Sequence, residues 1–481
     1  MGLEPHPRPV AARSRVEFGD WQTPLSLAND VVRILQTHCA DPASVLEPTC
    51  GDGAFLQAAA AWFPRANLQG FEIDVGHAAN ARQRLGATEA RIVAADFFSV
   101  DWSAVVAGLS EPICVLGNPP WVTSARLGVL GARNVPTKSN FKGAQGLDAR
   151  TGKSNFDISE WMLLHLIKCL SGRRFVLGML CKSNVARQIL RYLAQKNLPL
   201  AAALYLIDAK KNFGAAVDAV LLVVKPNPQV ATSPQWPVFA ALDANLPERQ
   251  LGMVGADLCS DVEGAEATDF LRGPCDLVWR SGMKHDCAAV MEFRFRQGRW
   301  HNGLGVAPSL ETEPCWYPLL KGSDVAAGRP AQQYVIVTQE RLGAPTDVLR
   351  TTAPHTWRYL QDHADLLAAR KSRIYQGQQP FAIFGIGPYA FAPYKVAICG
   401  LYKHLRFCVV SPVAGKPVML DDTSYFLPCE SLAQAESLQT ALNSDLAQKY
   451  LSARVFWDMK RPVTKALLSS LCITRLLQAS C

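Results

Sequence analysis

The sequence Val115-Leu116-Gly117-Asn118-Pro119-Pro120-Trp121 joins an apolar run to a rigid polar turn. The apolar residues from Ile113 to Leu116 predict a buried strand. Because proline has a fixed φ and no N–H, Pro119 and Pro120 predict an extended turn where that strand ends. Open α/β sheets bind their ligands outside the carboxyl ends of their strands, so the turn is a candidate binding site.

Asn118 and its neighbours have the features of a holder for an amino group on a planar ring. The side-chain carbonyl of Asn118 and the backbone carbonyl of Pro119 both accept hydrogen bonds, and Trp121 offers a flat face beside them. The exocyclic amino group of a nucleic-acid base fits this description. The alternative interpretation is a structural Pro-Pro turn with a tryptophan in the core.

Three strands that precede this turn also end in polar residues. The first runs from Ser44 into a turn that contains Gly51 and Gly53, and glycine permits close approach of the backbone to a ligand. The second ends at Glu72, about 20 residues later, a spacing at which a βαβ unit places a carboxylate on a ribose diol. The third ends at Asp96. Each acid alone is equally typical of a helix cap, but four such strand ends in order predict one binding edge.

These motifs, taken together, resemble those of a known enzyme family. Glu47-Pro48-Thr49-Cys50-Gly51-Asp52-Gly53, Glu72, Asp96-Phe97 and Asn118-Pro119-Pro120-Trp121 resemble the ordered motifs of class I S-adenosylmethionine-dependent DNA methyltransferases. Thr23-Pro24 ahead of the glycine turn, and a long extension after the motifs, resemble the gamma class of adenine amino-methyltransferases of restriction–modification systems. The resemblance covers roughly the first 225 residues. The family usually has Tyr or Phe after the two prolines, where this chain has Trp.

The resemblance implies an α/β fold with two domains. We expect a Rossmann-like class I methyltransferase domain with a seven-stranded, mostly parallel sheet over residues 1–225, followed by an α+β target-recognition domain over residues 251–481. A proline-rich polar stretch, residues 226–250, is predicted to be the linker. A length of 481 residues also favours two domains.

The resemblance also implies S-adenosylmethionine as the cofactor and assigns roles to individual residues. Glu72 is expected on the ribose hydroxyls and Asp96 on the adenine amino group of the cofactor. The full cofactor set is Thr23, Glu47, Pro48, Thr49, Cys50, Gly51, Gly53, Glu72, Asp96, Phe97 and Pro120. The catalytic set is Asn118, Pro119, Pro120, Trp121 and Phe213, with Trp121 and Phe213 on opposite faces of a base flipped out of duplex DNA.

Basic charge lies mainly in the later half of the chain. The net charge is +8, and residues 280–406 hold 16 Lys and Arg against 9 Asp and Glu, a difference of +7. This surplus favours a polyanion partner for the second domain. We expect phosphate contacts from lysines of the 123–153 loop and of the second domain, namely Lys138, Lys142, Lys153, Lys284, Lys321, Lys395 and Lys403.

Composition narrows the class of protein further. The chain is 49% hydrophobic and 19% charged, has no signal core and no apolar run as long as a membrane span, and therefore predicts a folded cytoplasmic protein. The 14 cysteines include no C-x-x-C pair, and Lys284-His285-Asp286 lacks partners at ligand spacing, so no metal is expected.

The expected activity is methylation of the adenine amino group in double-stranded DNA by a monomer, with a separately encoded restriction endonuclease as its biological partner. Two alternatives stay open at this point. RNA and protein-glutamine methyltransferases need the same pair of carbonyl acceptors. A DNA-specificity module with an inactive catalytic fold would carry the same second domain.

Overall fold

A computed structural model of the chain forms two compact units, and the chain passes from the first to the second between Leu258 and Cys259. It describes residues 22–86, 88–122, 157–215, 217–229 and 234–479. Among these residues, no helix is long and apolar enough to cross a membrane.

One mixed sheet organises the first unit. Its strands are β1 (Ser44–Glu47), β2 (Asn67–Glu72), β3 (Arg91–Ala94), β4 (Ile113–Gly117), β5 (Phe175–Lys182), β6 (Leu200–Ile207), β7 (Ala219–Pro226), β8 (Gln235–Phe239), β9 (Arg249–Val254) and β10 (Asp257–Cys259). Their order across the sheet is β10-β9-β8-β6-β7-β5-β4-β1-β2-β3. Strands β1 to β5 pair in parallel, and β7 is antiparallel to both of its neighbours. Strand order reverses between β1 and β4, where α/β sheets open a crevice for a ligand.

The sheet has ten strands where seven were predicted, because the predicted linker is part of it. Residues 235–239 and 249–254 form β8 and β9, and β8 pairs in parallel with β6. Trp236 and Val238 are buried on alternate positions of β8, the pattern of a strand with one face in the core. Burial of these side chains outweighs the prolines nearby, so the assignment of 226–250 as a linker is wrong.

Helices cover the sheet of the first unit. They are α1 (Leu25–His38), α2 (Ala54–Trp62), α3 (Val75–Leu85), α4 (Trp102–Ala107), α5 (Ile158–Cys169), α6 (Ser183–Gln195) and α7 (Ala209–Phe213). All five residues of β4 are buried, as expected for a central parallel strand with helices on both faces. Helix α1 buries Val31, Val32 and Leu35 in a core shared with Leu56 of α2 and Leu116 of β4.

The second unit contains two sheets. One is four-stranded and antiparallel, in the order β11-β20-β17-β18, from β11 (Arg280–Ser281), β17 (Tyr394–Cys399), β18 (Cys408–Val410) and β20 (Ser424–Cys429). The other is six-stranded, in the order β14-β13-β12-β16-β15-β19, from β12 (Glu292–Arg296), β13 (Arg299–Asn302), β14 (Gly305–Val306), β15 (Trp316–Leu320), β16 (Gln333–Ile336) and β19 (Met419–Leu420). It is antiparallel except for the β15–β19 pair.

Short helices complete the second unit. They are α8 (Val262–Ala267), α9 (Ala288–Met291), α10 (Gly322–Ala327), α11 (Leu349–Thr352), α12 (Pro354–Asp362), α13 (Ala364–Ala368), α14 (Leu432–Leu442), α15 (Asp445–Ser452), α16 (Lys465–Ser469) and α17 (Ile473–Ala479). One core packs α14 and α15 on the four-stranded sheet, and another packs α12 on the six-stranded sheet. Strands and helices therefore mix in this unit as an α+β arrangement.

Candidate active site

A cavity of about 380 Å³ opens at the carboxyl ends of β1, β2, β3 and β4. Ten of the eleven residues predicted to bind the cofactor line it, namely Thr23, Glu47, Pro48, Thr49, Cys50, Gly51, Glu72, Asp96, Phe97 and Pro120. Asn118 of the predicted catalytic turn lines the same cavity. The sheet topology therefore brings together motifs that lie up to 97 residues apart in the chain, from Thr23 to Pro120.

Glu72 fixes the glycine turn at the floor of this cavity. Its Oε2 accepts a hydrogen bond from the amide of Gly51 at 2.8 Å, and its Oε1 accepts one from the amide of Asp74 at 2.8 Å. Hydrogen bonds from N–H groups to a carboxylate are among the stronger ones in proteins. Glu72 therefore shapes the turn as well as lining the cavity.

The two glycines of the turn serve different purposes. Gly51 has a φ of +49°, and a Cβ there would lie 2.5 Å from Oε1 of Gln22, whose side chain also accepts from the amide of Asp52. Gly53 has a φ of +81° and precedes α2, and a Cβ there would lie 3.0 Å from that of Ala81. Gly53 does not line the cavity, so it sets the start of the helix and its packing on α3 rather than a ligand contact.

Glu47 is a buried carboxyl group at the end of β1. It is 2% exposed, and burial raises its pKa well above the usual range, with the nearby Glu72 raising it further. Within the described part of the chain, its Oε2 and the hydroxyl of Thr49 have no hydrogen-bond partner. Buried polar atoms without partners are costly, and most find one in a ligand or water when the site is filled.

Asp96 and Phe97 occupy the end of β3. The Asp96 side chain accepts from the amide of Phe98 at 3.0 Å and so caps a short 3-10 helix, the alternative role considered for it. It lines the cavity at the same time. Phe97 is 4% exposed and packs on Trp102, with ring centroids 4.6 Å apart. Its position is therefore fixed before any ligand arrives.

The Asn118 side chain is oriented by a residue from the far end of the domain. Its Nδ2 donates to the hydroxyl of Thr23, with the nitrogen and oxygen 3.3 Å apart. Gly117, immediately before it, has a φ of +152°, a backbone conformation rare for other residues. The turn after β4 is thus held at Asn118 by its backbone and by the amide.

Lys182, which the sequence analysis did not single out, supports the same turn. At the end of β5, its Nζ donates to the backbone carbonyl of Trp121 at 2.8 Å and to Asp157 at 2.6 Å. The Asp157 side chain is 10% exposed and also caps α5 through the amide of Ser159. A lysine at the end of a neighbouring strand gave no sequence signal, because its partner lies 61 residues away.

Trp121 and Phe213 do not form the predicted sandwich. Their ring centroids lie 5.3 Å apart with planes at 75°, so the edge of one ring contacts the other ring and no base fits between them. Trp121 is 6% exposed, and its ring N–H donates to the carbonyl of Leu180 at 3.4 Å. The alternative of a core tryptophan therefore describes its packing better, whereas Phe213 is half-buried.

Comparison with known proteins identifies the family. The chain is 41% identical over 467 residues to the type II methyltransferase M.NspV of Nostoc sp., covering 95% of this chain and 97% of that protein. The chain belongs to the DNA methyltransferases of restriction–modification systems. No protein-family model matches it.

One solved structure agrees with this membership at the level of fold. The type IIL restriction–modification enzyme MmeI, solved in complex with DNA, matches with a TM-score of 0.51 at 14% identity, over 93% of this chain. This methyltransferase spans 64% of the MmeI chain. The type IIG restriction endonuclease BpuSI matches with a TM-score of 0.40 at 14% identity, over 98% of this chain and 62% of that one.

S-adenosylmethionine is the cofactor of this methyltransferase. The cavity suits it on the observations above, since Glu47 and Thr49 line it and present buried polar atoms without partners in the described part of the chain. Acidic groups at the ends of β1, β2 and β3 also suit a molecule with positive charges and a ribose. Among the described residues, no cluster of three or more His, Cys, Asp or Glu could hold a metal ion.

The lysines expected to bind DNA differ in their exposure and in their ion pairs. The prediction that Lys395 contacts DNA is wrong, because this residue is 1% exposed and its Nζ donates to the carbonyl of Ala392 at 2.8 Å. Lys321 is half-buried in an ion pair with Glu292, and Lys284 pairs with Asp286 and Asp422. Lys403 is exposed. Lys138, Lys142 and Lys153 lie outside the described residues.

Proposed function

We propose that this methyltransferase transfers a methyl group from S-adenosylmethionine to the exocyclic amino nitrogen of adenine in duplex DNA. One observation carries the proposal: Asn118, with its amide oriented by Thr23, borders the same cavity as Glu72 and Asp96. A single cavity thus joins acidic groups suited to the cofactor with the Asn-Pro-Pro turn suited to an amino group.

This reaction depends on how the protein positions the amino nitrogen and the methyl group more than on a reactive side chain. An amino nitrogen on an aromatic ring is a poor nucleophile because its lone pair is delocalised into the ring. Hydrogen bonds from that amino group to the carbonyls of Asn118 and Pro119 favour a more tetrahedral nitrogen whose lone pair points out of the ring plane. S-adenosylmethionine supplies an electrophilic methyl group, and correct alignment of the two reactants accounts for much of the rate.

A base must leave the duplex before it reaches this cavity. Flipping costs a few kcal/mol, and stacking on an aromatic ring contributes roughly 1–3 kcal/mol per contact. Phe213, half-buried and against the buried Trp121, is the aromatic side chain proposed for that contact. Trp121 then acts as the support that holds Phe213 and the Asn118 turn in place.

The two units are proposed to divide the work. The first binds the cofactor and catalyses transfer, and the second, Cys259–Cys481, recognises the target sequence. The basic surplus in residues 280–406 supports this division, because phosphate contacts provide much of the affinity for DNA. A monomer serves this reaction, and a separately encoded endonuclease is its proposed partner.

The test uses the purified full-length protein, S-adenosylmethionine and unmethylated genomic DNA. Base-resolved sequencing and nucleoside mass spectrometry should find N6-methyladenine at one short sequence. Asn118→Ala should lower the methylation rate at least about 100-fold, a loss typical of one lost transition-state hydrogen bond, with cofactor affinity within a few-fold. Asn227→Ala is the matched control, because Asn227 accepts from the amide of Gln229 and does not line the cavity.

Products other than N6-methyladenine would contradict part or all of the proposal. N4-methylcytosine would keep the DNA methyltransferase and reject adenine. Transfer to RNA or to protein glutamine, with none to DNA, would reject the proposal. Near-normal activity of Asn118→Ala would reject the role given to the amide.

A further inference from the structure

A short hairpin of the six-stranded sheet, whose turn end extends past the strands that pair with it on either side, has an unusual distribution of charge. Its strands, β12 and β13, are joined by the two residues Gln297 and Gly298, with φ values of +50° and +73°. Two consecutive positive φ values are typical of the tight turns that match the twist of a hairpin. The hairpin is therefore a short, well-defined two-stranded ribbon.

One face of this ribbon carries only basic side chains near the turn. Arg296 lies directly opposite Arg299, and Arg294 lies opposite His301. Opposed residues of an antiparallel pair point to the same face. The three arginines are all exposed, and among the described residues none has an ion-pair partner.

The other face is aromatic and anchors the ribbon. Phe295 lies opposite Trp300, with ring centroids 5.1 Å apart. Trp300 in turn packs edge-on against Trp316 and Tyr334 of the neighbouring strands, at 5.0 and 5.2 Å. These contacts fix which face of the ribbon is turned away from the core, and hence where the guanidinium groups point.

The root of the ribbon is fixed by charge as well. Glu292, on the same face as Arg294, accepts from Lys321 at 2.5 Å and from His285 at 3.1 Å. Burial favours a higher pKa for Glu292, but these two hydrogen bonds outweigh it and hold the pKa at about 2. Because this carboxylate is committed to Lys321 and His285, it does not neutralise the arginines nearer the turn.

Like charges placed directly opposite each other destabilise a hairpin. Such an arrangement on a rigid ribbon is explained if an anion lies against it in the working complex. Three guanidinium groups on a projecting two-stranded ribbon suit a regular array of phosphates and base edges. The major groove of B-DNA is wide enough for a two-stranded ribbon, and arginine binds both phosphates and guanine edges.

We infer that the basic face of the β12–β13 hairpin is a DNA-contacting surface of this methyltransferase, with Arg294, Arg296 and Arg299 turned toward the duplex. The inference rests on the proposed function and adds the element of the second unit that meets its substrate. None of these arginines was singled out from the sequence, where the surplus of charge was assigned to lysines.

The test compares Arg294→Ala, Arg296→Ala and Arg299→Ala in the full-length protein. The probe is a short duplex that carries the sequence methylated by the wild type, with a scrambled duplex beside it, each titrated at several salt concentrations. Loss of one phosphate contact should reduce the log–log salt slope by about 0.9 and weaken binding to both duplexes. Loss of a base contact should leave the slope unchanged and relax the methylated sequence. Either result supports the surface.

Arg341→Ala is the matched control. Arg341 is exposed and follows β16, at the end of the same sheet opposite the hairpin turn. It should behave as wild type. Because the hairpin arginines are exposed and face like charges, their removal should leave the melting temperature unchanged or slightly raised, which separates a DNA effect from misfolding.

The inference and the proposed function fail in different ways. If the wild type methylates adenine in DNA and all three variants match it in affinity, salt slope and methylated sequence, the hairpin inference is overturned and the proposed function stands. If the wild type methylates no DNA, both the proposed function and the hairpin inference that rests on it are overturned.

Discussion

Replacement of Glu72 tests whether the end of β2 holds both the glycine turn and the cofactor. The carboxylate accepts from the amides of Gly51 and Asp74, both at 2.8 Å, and lines the cavity. Hydrogen bonds to charged groups contribute about 1.5–3 kcal/mol each. In Glu72→Ala the proposed direct bond to the ribose is lost, and the Gly51 amide also loses the acceptor that sets the turn.

The expected loss in cofactor affinity is therefore at least that of one such bond. A change of 1.5–3 kcal/mol corresponds to about a 10- to 150-fold weaker Kd. Titration calorimetry with S-adenosylmethionine measures it directly, at a pH where the wild type binds tightly. Glu72→Gln should fall between wild type and Glu72→Ala, because its amide keeps one acceptor oxygen but gives up the charge.

Asp101→Ala provides a matched control for this experiment. Asp101 also accepts from a backbone amide, that of Ala104 at 3.1 Å, but it caps α4 and does not line the cavity. Its loss should cost about 1 kcal/mol of stability and leave the cofactor Kd unchanged. An unchanged Kd in Glu72→Ala would refute the reasoning and move the ribose contact to another residue, such as Asp74.

Two further predictions concern buried titratable groups. The raised pKa of Glu47 means that its contribution to the free energy of unfolding is complete below its unfolded pKa, about 4.3, and is lost as pH rises through the folded value. Glu47→Gln should therefore raise the melting temperature of the cofactor-free protein at pH 8 but not at pH 4. The same substitution should weaken cofactor binding. Burial lowers the pKa of Lys395 from 10.5 to about 8, so wild-type stability should rise with pH between those values. Lys395→Met should abolish that rise, increase the free energy of unfolding at pH 7 by up to about 3 kcal/mol, and leave the salt dependence of DNA binding unchanged. Urea unfolding at several pH values measures the stability, and DNA titration at several salt concentrations measures the binding. A flatter salt slope would contradict the burial of Lys395.

The catalytic unit was predictable because its signals are local and ordered. The strands β2, β3 and β4, which end at or just before Glu72, Asp96 and Asn118, run parallel in one sheet, so their polar ends come to the same edge. The contribution of Lys182 was not predictable, since it depends on β5 lying beside β4 and on the distance between Lys182 and the Trp121 carbonyl. The ring contact between Trp121 and Phe213 likewise depends on side-chain packing that spacing does not fix.

The predicted linker failed because composition and burial compete. Prolines at 226, 228, 234, 237 and 247 are typical of an extended connection. Trp236 and Val238 nevertheless place two large apolar side chains on one face, and their burial at 2% and 3% exposure extends the sheet beyond β6. Two large apolar side chains on alternate residues can therefore favour a strand despite nearby prolines, when an unpaired strand edge is available for pairing.

Basic residues in the second unit show why the sum of charge does not identify a DNA-binding surface. Lys395 lies in β17, whose residues from Lys395 to Cys399 are all buried, and its Nζ donates to the carbonyl of Ala392. Arg294, Arg296 and Arg299 instead alternate with aromatic residues in a hairpin whose turn end extends past its pairing with β16. Period-two alternation predicts that one set of side chains is buried and the other exposed, but which set is buried depends on the neighbours of the strand. The end of a hairpin that extends past its neighbouring strands leaves the charged set outward, and a strand that is covered on both faces buries it. What packs against each part of a strand, rather than the local count of lysine and arginine, therefore determines whether a basic residue is available to DNA.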